Sequence, residues 1–290
     1  MSVAATKSTV FHVKRLVGPA RSVVTDAAGN WLATFTDGAS TVTLVGPSRT
    51  FHEQSAGAPV ITSVWVRLLP TPFAGHIPER WLSAALGDAS PDLLHIAMQY
   101  TKQAQPLYDA YGLKIAGDAN YGPLKDGRTR QEGSDFNDYL GIAWQYSDQL
   151  DEPEAEQFGS LDCSGFMRMV WGYCGGIPLT LRPNGIALPR RSFEMLESAP
   201  GVVIIRNTGT RPTNLSRLAP GDLLFFDASS DDAERIDHVG MYLGPDTTGA
   251  HRFISSRKTI NGPTMGDKGG RSILDGTGTY AKSFRAARRL

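Results

Sequence analysis

The sequence is nearly without cysteine: two in 290 residues. That excludes a disulfide framework, and with it the small secreted scaffolds that cross-links hold together. Excess charge is also missing, since 29 basic and 29 acidic residues give a formal net charge of zero. No nucleic-acid partner is therefore expected, and the terminal RAARRL is too short to attract one. No apolar run is long enough for a membrane span. The first residues, MSVAATKSTVFHVKRLVGPA, contain no apolar h-region, so no signal peptide is visible. An intracellular form, a mature form with a new Met and the cargo of a non-classical export route all agree with that. No Cys/His set has metal-ligand spacing, so neither a metal nor another cofactor is expected. Hydrophobic content of 41% and charged content of 20% are globular values. The length suits one large or two ordinary domains.

Residues 1–86 read as a β-rich accessory domain, possible as an SH3-like barrel. NWLATFTDGASTVTLVG gives two short strands around the Asp37-Gly38 turn. ITSVWVRLLPTPF gives another, with Val64 and Val66 on one face, and Pro70 and Pro72 end it. His12 and His52 stand alone here and read as structural. A boundary falls near LGDASPD, where Ser90 reads as an N-cap and Pro91 as the first helical residue. The helix that follows places Leu93, Leu94, Ala97 and Met98 on one face. Residues 87–290 then form the second domain, with a long insertion at about 102–160. A stretch so irregular is unusual inside a domain. It reads as an elaborated loop with a short helix around 135–147, forming a wall of a binding groove.

Both cysteines lie in FGSLDCSGFMRMVWGYCGG. Phe166, Met167, Val170, Trp171 and Cys174 recur with the period of an amphipathic helix, which Gly175 and Gly176 stop. Cys163 then begins the helix and Cys174 ends it. The eleven helical steps from one to the other span roughly 16 Å, too far for a disulfide or one metal. Cys174 reads as a small buried hydrophobe on the packed face. Cys163 sits where the helix dipole and free N–H groups favour thiolate, and read alone it is equally a buried thiol or a nucleophile.

From residue 218 the pattern is β. LAPGDLLFFD is a turn into an apolar strand, and DHVGMYLG alternates, with Val239, Met241 and Leu243 on one face and His238, Gly240 and Tyr242 on the other. HRFISSR returns, and YAKSFRAARRL closes the sheet. A helix bearing Cys163 followed by an antiparallel sheet bearing His238 makes the fold class α+β. A thiol nucleophile needs a base, and the base needs a third group to orient it. His238 is the obvious base.

LDCSGF leading into a helix, LAPGDLLFF and DHVGMYLG, in that order, resemble the signature segments of the NlpC/P60 cysteine peptidases. The resemblance covers roughly residues 90–290, most securely 158–256. It implies a papain-like core, the Cys-bearing helix packed on an antiparallel sheet. It also implies hydrolysis of amide bonds in peptidoglycan stem peptides, commonly the bond between D-γ-glutamyl and the diamino acid. Carried over residue by residue, Cys163 is the nucleophile and His238 the general base. Backbone N–H groups at Cys163, with Ser164, stabilise the oxyanion, and Asp162 orders the turn. The third catalytic residue departs from the usual His: by register it is Ser255, with His251 as rival. The tyrosine usually found upstream of the nucleophile is Tyr121, and Trp144 or Tyr146 competes for that substrate-binding place.

The resemblance makes the partner peptidoglycan or its muropeptides, the protein a monomer, and its place of action the cell envelope or the extracellular space. With no signal peptide visible, cytoplasmic storage or non-classical export is implied. Two other readings stand beside this one. A remodelled groove would serve another thiol-dependent amidase, acyltransferase or toxin-like effector on the same core. The weak third residue fits a non-catalytic wall-binding protein with an idle site.

Overall fold

In the computed structural model, residues 11–125, 127–229 and 235–290 are described. The first half of the segment read for a leader, residues 1–10, lies outside them. Five antiparallel strands come first, in spatial order β1 (His12–Leu16), β2 (Arg21–Thr25), β3 (Trp31–Thr36), β4 (Thr41–Phe51) and β5 (Val60–Leu68). This is the expected β-rich N-terminal part. Val24, Ala33, Phe35, Val42 and Leu44 form a core of their own, closed by Leu82 of α1 (Glu79–Gly87).

The next helix, α2 (Leu93–Met98), starts two residues later than the Ser90 cap expected from sequence. Asp92 is the cap, because its carboxylate accepts the His95 N–H at 3.0 Å. The same carboxylate accepts two bonds from Arg49 of β4, both 2.6 Å, and one from the Val66 N–H of β5 at 2.7 Å. Phe51, Val60 and Val66 of the N-terminal sheet are buried in one core with α2 and with Phe166 and Trp171. The two parts of the chain are thus joined by shared apolar packing, not only by a linker.

The irregular section holds three small hairpins: β6 (Leu107–Tyr108) with β7 (Lys114–Ala116), β8 (Leu124–Lys125) with β9 (Thr129–Arg130), and β10 (Trp144–Gln145) with β11 (Leu150–Asp151). Its helix, α3 (Phe136–Leu140), is shorter than the 135–147 expected. Asp135 and Asp138 form a capping box at its start, and Gly141, left-handed at φ 68°, stops it.

Then comes α4 (Cys163–Met167), which widens into a π turn over Arg168–Cys174. The wider turn alters the phase. Cys174, expected on the packed face, is instead an exposed residue, its sulfur 3.4 Å from the Tyr100 hydroxyl. After α5 (Ser192–Ser198) the remaining strands are β12 (Val202–Ile205), β13 (Leu223–Phe226), β14 (His238–Pro245), β15 (His251–Arg257), β16 (Gly262–Thr264) and β17 (Phe284–Arg289), with α6 (Thr279–Ser283) before the last. Their order is β12-β17-β13-β14-β15-β16. The C-terminal strand therefore enters the sheet interior, between β12 and β13. Leu223, Phe225, Val239, Met241 and Ile254 pack on the α4 side. Leu224, Phe226, Tyr242, Phe253 and Phe284 pack on the other.

Candidate active site

The site begins with an N-cap. Asp162 accepts the Gly165 N–H at 2.7 Å and the Ser164 hydroxyl at 3.1 Å, which fixes the first turn of α4. Its other oxygen accepts the Gly133 N–H at 3.0 Å. Gly165 is required by contact: a Cβ there would lie 2.2 Å from the Ser134 carbonyl oxygen. The N–H groups of Cys163 and Ser164 belong to the first helical turn, which has no i−4 carbonyl to receive them. They are the donors available to an oxyanion at that end of the helix.

Asp162 is almost fully buried, and its partner is Arg190, 2.8 Å away. Arg190 also donates to the Ser164 hydroxyl at 2.6 Å and to the Gly133 carbonyl at 2.7 Å, and approaches Asp135 at 3.4 Å. Asp135 in turn holds the buried Arg168 at 2.9 Å. Arg168 donates to the carbonyls of Thr180 and Leu188, 2.7 and 2.8 Å, and to the Tyr146 hydroxyl. Two carboxylates and two guanidiniums thus lie beneath the nucleophile. Burial pushes the Asp162 carboxyl up, but Arg190 and the two N–H donors outweigh it and hold it below its ordinary value.

Cys163 lies against the backbone on both sides of His238. Its sulfur is 3.9 Å from the Asp237 carbonyl oxygen, and the Val239 N–H is directed at it. The His238 ring rests 5.7 Å from that of Phe226 and 5.2 Å from that of Tyr280. Burial, reinforced by the charge of Asp162, pushes the Cys163 thiol up to about 12. Burial and the charge of Arg257 push His238 down to about 3. At neutral pH the resting pair is therefore thiol and neutral imidazole, not the thiolate that the helix start favours. An unprotonated imidazole beside a thiol is a base in the state that proton abstraction requires.

Two cavities meet here. One, of about 300 Å³, is lined by Cys163, Asp162, Ser164 and Arg191. The other, of about 380 Å³, is lined by His238, Arg257, Lys258 and Tyr280. Tyr121, Glu132, Ser229 and Asp237 line both. A further cavity, of about 750 Å³ between β4 and α2, includes neither Cys163 nor His238.

The structure thus brings Cys163, His238, Asp162, Ser164 and Tyr121 together. Trp144 it places elsewhere: the indole packs edge-on to Phe136 and Tyr173, at 5.0 and 6.0 Å, and lines neither cavity. Tyr146 is taken up by Arg168. His251 is also removed from His238. It pairs with Pro245 at the far end of β14, roughly 20 Å along the strand. Its Nδ1 lies 2.6 Å from the Tyr242 hydroxyl. Ser255 stays near, on the His238 face of the sheet, but its hydroxyl accepts a bond from Arg257 Nε at 3.1 Å. Sequence reasoning missed Arg168, Arg190, Asp135 and Arg257. A charge inside the apolar run FMRMVW was the one available signal for a buried guanidinium.

Residues 145–268 match the model of the NlpC/P60 family. A match to that family supports a peptidoglycan-related hydrolase in general terms. Among solved structures, one similar chain is a protein described as similar to a lipoprotein of the NLP/P60 family, from Staphylococcus aureus. It is 16% identical, and the match covers 73% of this chain and 48% of that one, at a TM-score of 0.31. This chain therefore spans about half the length of that protein. No curated protein matches.

Two outcomes are expected. Arg190→Met leaves Asp162 buried without its cation, so chemical denaturation should show a loss of about 3–5 kcal/mol at pH 7. The His238 proton affinity is lower folded than unfolded, so its contribution to stability is complete above its ordinary value of 6.5 and declines as pH falls toward about 3. His238→Gln should accordingly flatten the fall in melting temperature between pH 6 and pH 4, measured beside the wild type.

Proposed function

We propose that this chain is a cysteine peptidase that hydrolyses amide bonds in the stem peptides of bacterial peptidoglycan. The observation that carries the reading is the capped helix start within the NlpC/P60 match, with the Cys163 sulfur held against the backbone of His238. The scissile bond we assign is the one between D-γ-glutamyl and the diamino acid.

His238 takes the thiol proton as Cys163 attacks the amide carbonyl. Because the pair is neutral at rest, the nucleophile forms during attack. The N–H groups of Cys163 and Ser164 receive the developing oxyanion. The imidazolium returns its proton to the leaving amine, and water, activated by the same ring, resolves the thioester. Tyr121, at the junction of the two cavities, takes the substrate-side position. Ser255 is the nearer of the two candidates for the third role, although Arg257 occupies its oxygen. The protein acts as a monomer on wall fragments at the cell envelope, outside it, or after storage in the cytoplasm.

Incubation of wild type and Cys163→Ala with defined muropeptides, read by mass spectrometry, tests the reading. New fragments should come from the wild type alone, with the variant folded. Equal cleavage by both would reject the role of Cys163. Cleavage by neither would reject the substrate class and favour another acyl-transfer reaction or an idle site.

A further inference from the structure

Arg257 is the cationic group that acts on His238 from the neighbouring strand. The last ladder pair of β14 and β15 is Met241 with Ile254, and His238 and Arg257 each lie three residues beyond it, at the same end of the sheet. Strand alternation puts both side chains on the face that also carries Gly240, Phe253 and Ser255. At Gly240 a Cβ would meet the Ile254 carbonyl oxygen at 2.7 Å and the Ser255 Cβ at 3.0 Å, so β15 can approach closely only past a glycine. Both groups pack on Tyr280: the Arg257 guanidinium carbon is 4.3 Å from that ring's centroid, and the His238 ring 5.2 Å.

Arg257 is 1% exposed. Its donors go to the Ser255 hydroxyl at 3.1 Å, the Ser272 hydroxyl at 2.5 Å and the Gly270 carbonyl. Among the described residues no carboxylate pairs with it. His238 Nε2 is buried and has no hydrogen-bond partner among them. A guanidinium has five N–H donors and no acceptor, so it cannot receive an imidazole N–H. By binding the Ser255 oxygen, it also competes for that acceptor.

We propose that Arg257 is a positioning residue whose positive charge, paired with no carboxylate among the described residues, acts with burial to keep His238 unprotonated, so that Cys163 rests as a protected thiol and becomes a nucleophile only during attack. Like charges in a poorly solvated site repel strongly, and protonating His238 would place a second cation beside the first. Among the described residues, the other groups around His238 do not cancel this. Asp162, on the α4 side, favours the imidazolium but is paired with Arg190. Lys258, at the end of β15, is paired with Glu132 at 2.5 Å. Asp237, beside His238 in the chain, accepts the Ala228 N–H at 3.0 Å. Arg235 lies over the Phe193 ring at 3.4 Å. Tyr280 of α6 and Tyr121 contribute neutral phenols.

The inference deepens the hydrolase reading, but its test needs no turnover. Alkylation of Cys163 by iodoacetamide is followed from pH 5 to pH 10 by mass spectrometry. In the wild type the rate should rise about tenfold per pH unit with no acidic plateau, as for an unassisted thiol. In Arg257→Gln a plateau should appear in the acidic range, and alkylation at pH 7 should be at least about tenfold faster. Arg257→Lys, which keeps the charge, should follow the wild type. A Gln variant that superimposes on the wild type, or a Lys variant that behaves like Gln, overturns the proposal. Should Arg257→Gln fail to fold, the wild type still decides: the His238 ring resonances should not titrate between pH 5 and pH 8, and a midpoint near 6.5 overturns it. Loss of the Arg257 effect with wall-peptide cleavage intact rejects only this inference. The effect without any cleavage rejects only the substrate.

Discussion

The pairing of Asp162 with Arg190 is the constraint on which the site depends. An ionised carboxylate in the interior is tolerable only with a cation and a full set of donors. Asp162 has both, and each donor places something functional. The Gly165 N–H fixes the helix start, the Ser164 hydroxyl fixes the residue after the nucleophile, and the Gly133 N–H ties the irregular section to that same point. Arg190 is itself held through Asp135, which caps α3 and binds Arg168. A single buried polar network thereby determines where Cys163 stands relative to β14. Such networks are favourable only while every member is satisfied, so a change at one position is felt at the others.

The same burial that makes the scaffold rigid works against a reactive thiol. A helix start favours thiolate, yet Cys163 is buried beside the negative Asp162, and those effects prevail. The imidazole is displaced in the opposite direction by burial and by Arg257. The outcome is a neutral couple whose charges separate only in the reaction, where the helix N–H groups can stabilise them. Gly240 lets β15 approach the strand that carries His238, and Gly165 lets the helix that carries Cys163 approach Ser134 and Asp135.

The three motif segments were legible because each is local: LDCSGF caps a helix, LAPGDLLFF turns into a strand, and DHVGMYLG alternates with period two. What places Arg190, Asp135 and Arg257 is not local. Arg190 reaches Asp162 across 28 positions, and Arg168 reaches Asp135 across 33. Neither separation has a periodicity to betray it. Residue counting placed His251 beside the strand that follows the base, but the ladder register carries it to the opposite end. Trp144 competed with Tyr121 for the aromatic place upstream of the cysteine, and packing separates them. The π turn that exposes Cys174 likewise leaves no mark in a hydrophobic pattern read at 3.6 residues per turn.

The most direct test of the proposed chemistry is to trap the acyl-enzyme. Wild-type protein mixed with a muropeptide, quenched in acid within seconds and digested, should yield the Cys163-containing peptide carrying the acyl half of the substrate. That adduct should be released by hydroxylamine, as a thioester is. Turnover of the muropeptide with no adduct on Cys163 at any quench time, and undiminished turnover by the Cys163→Ala protein, would contradict it.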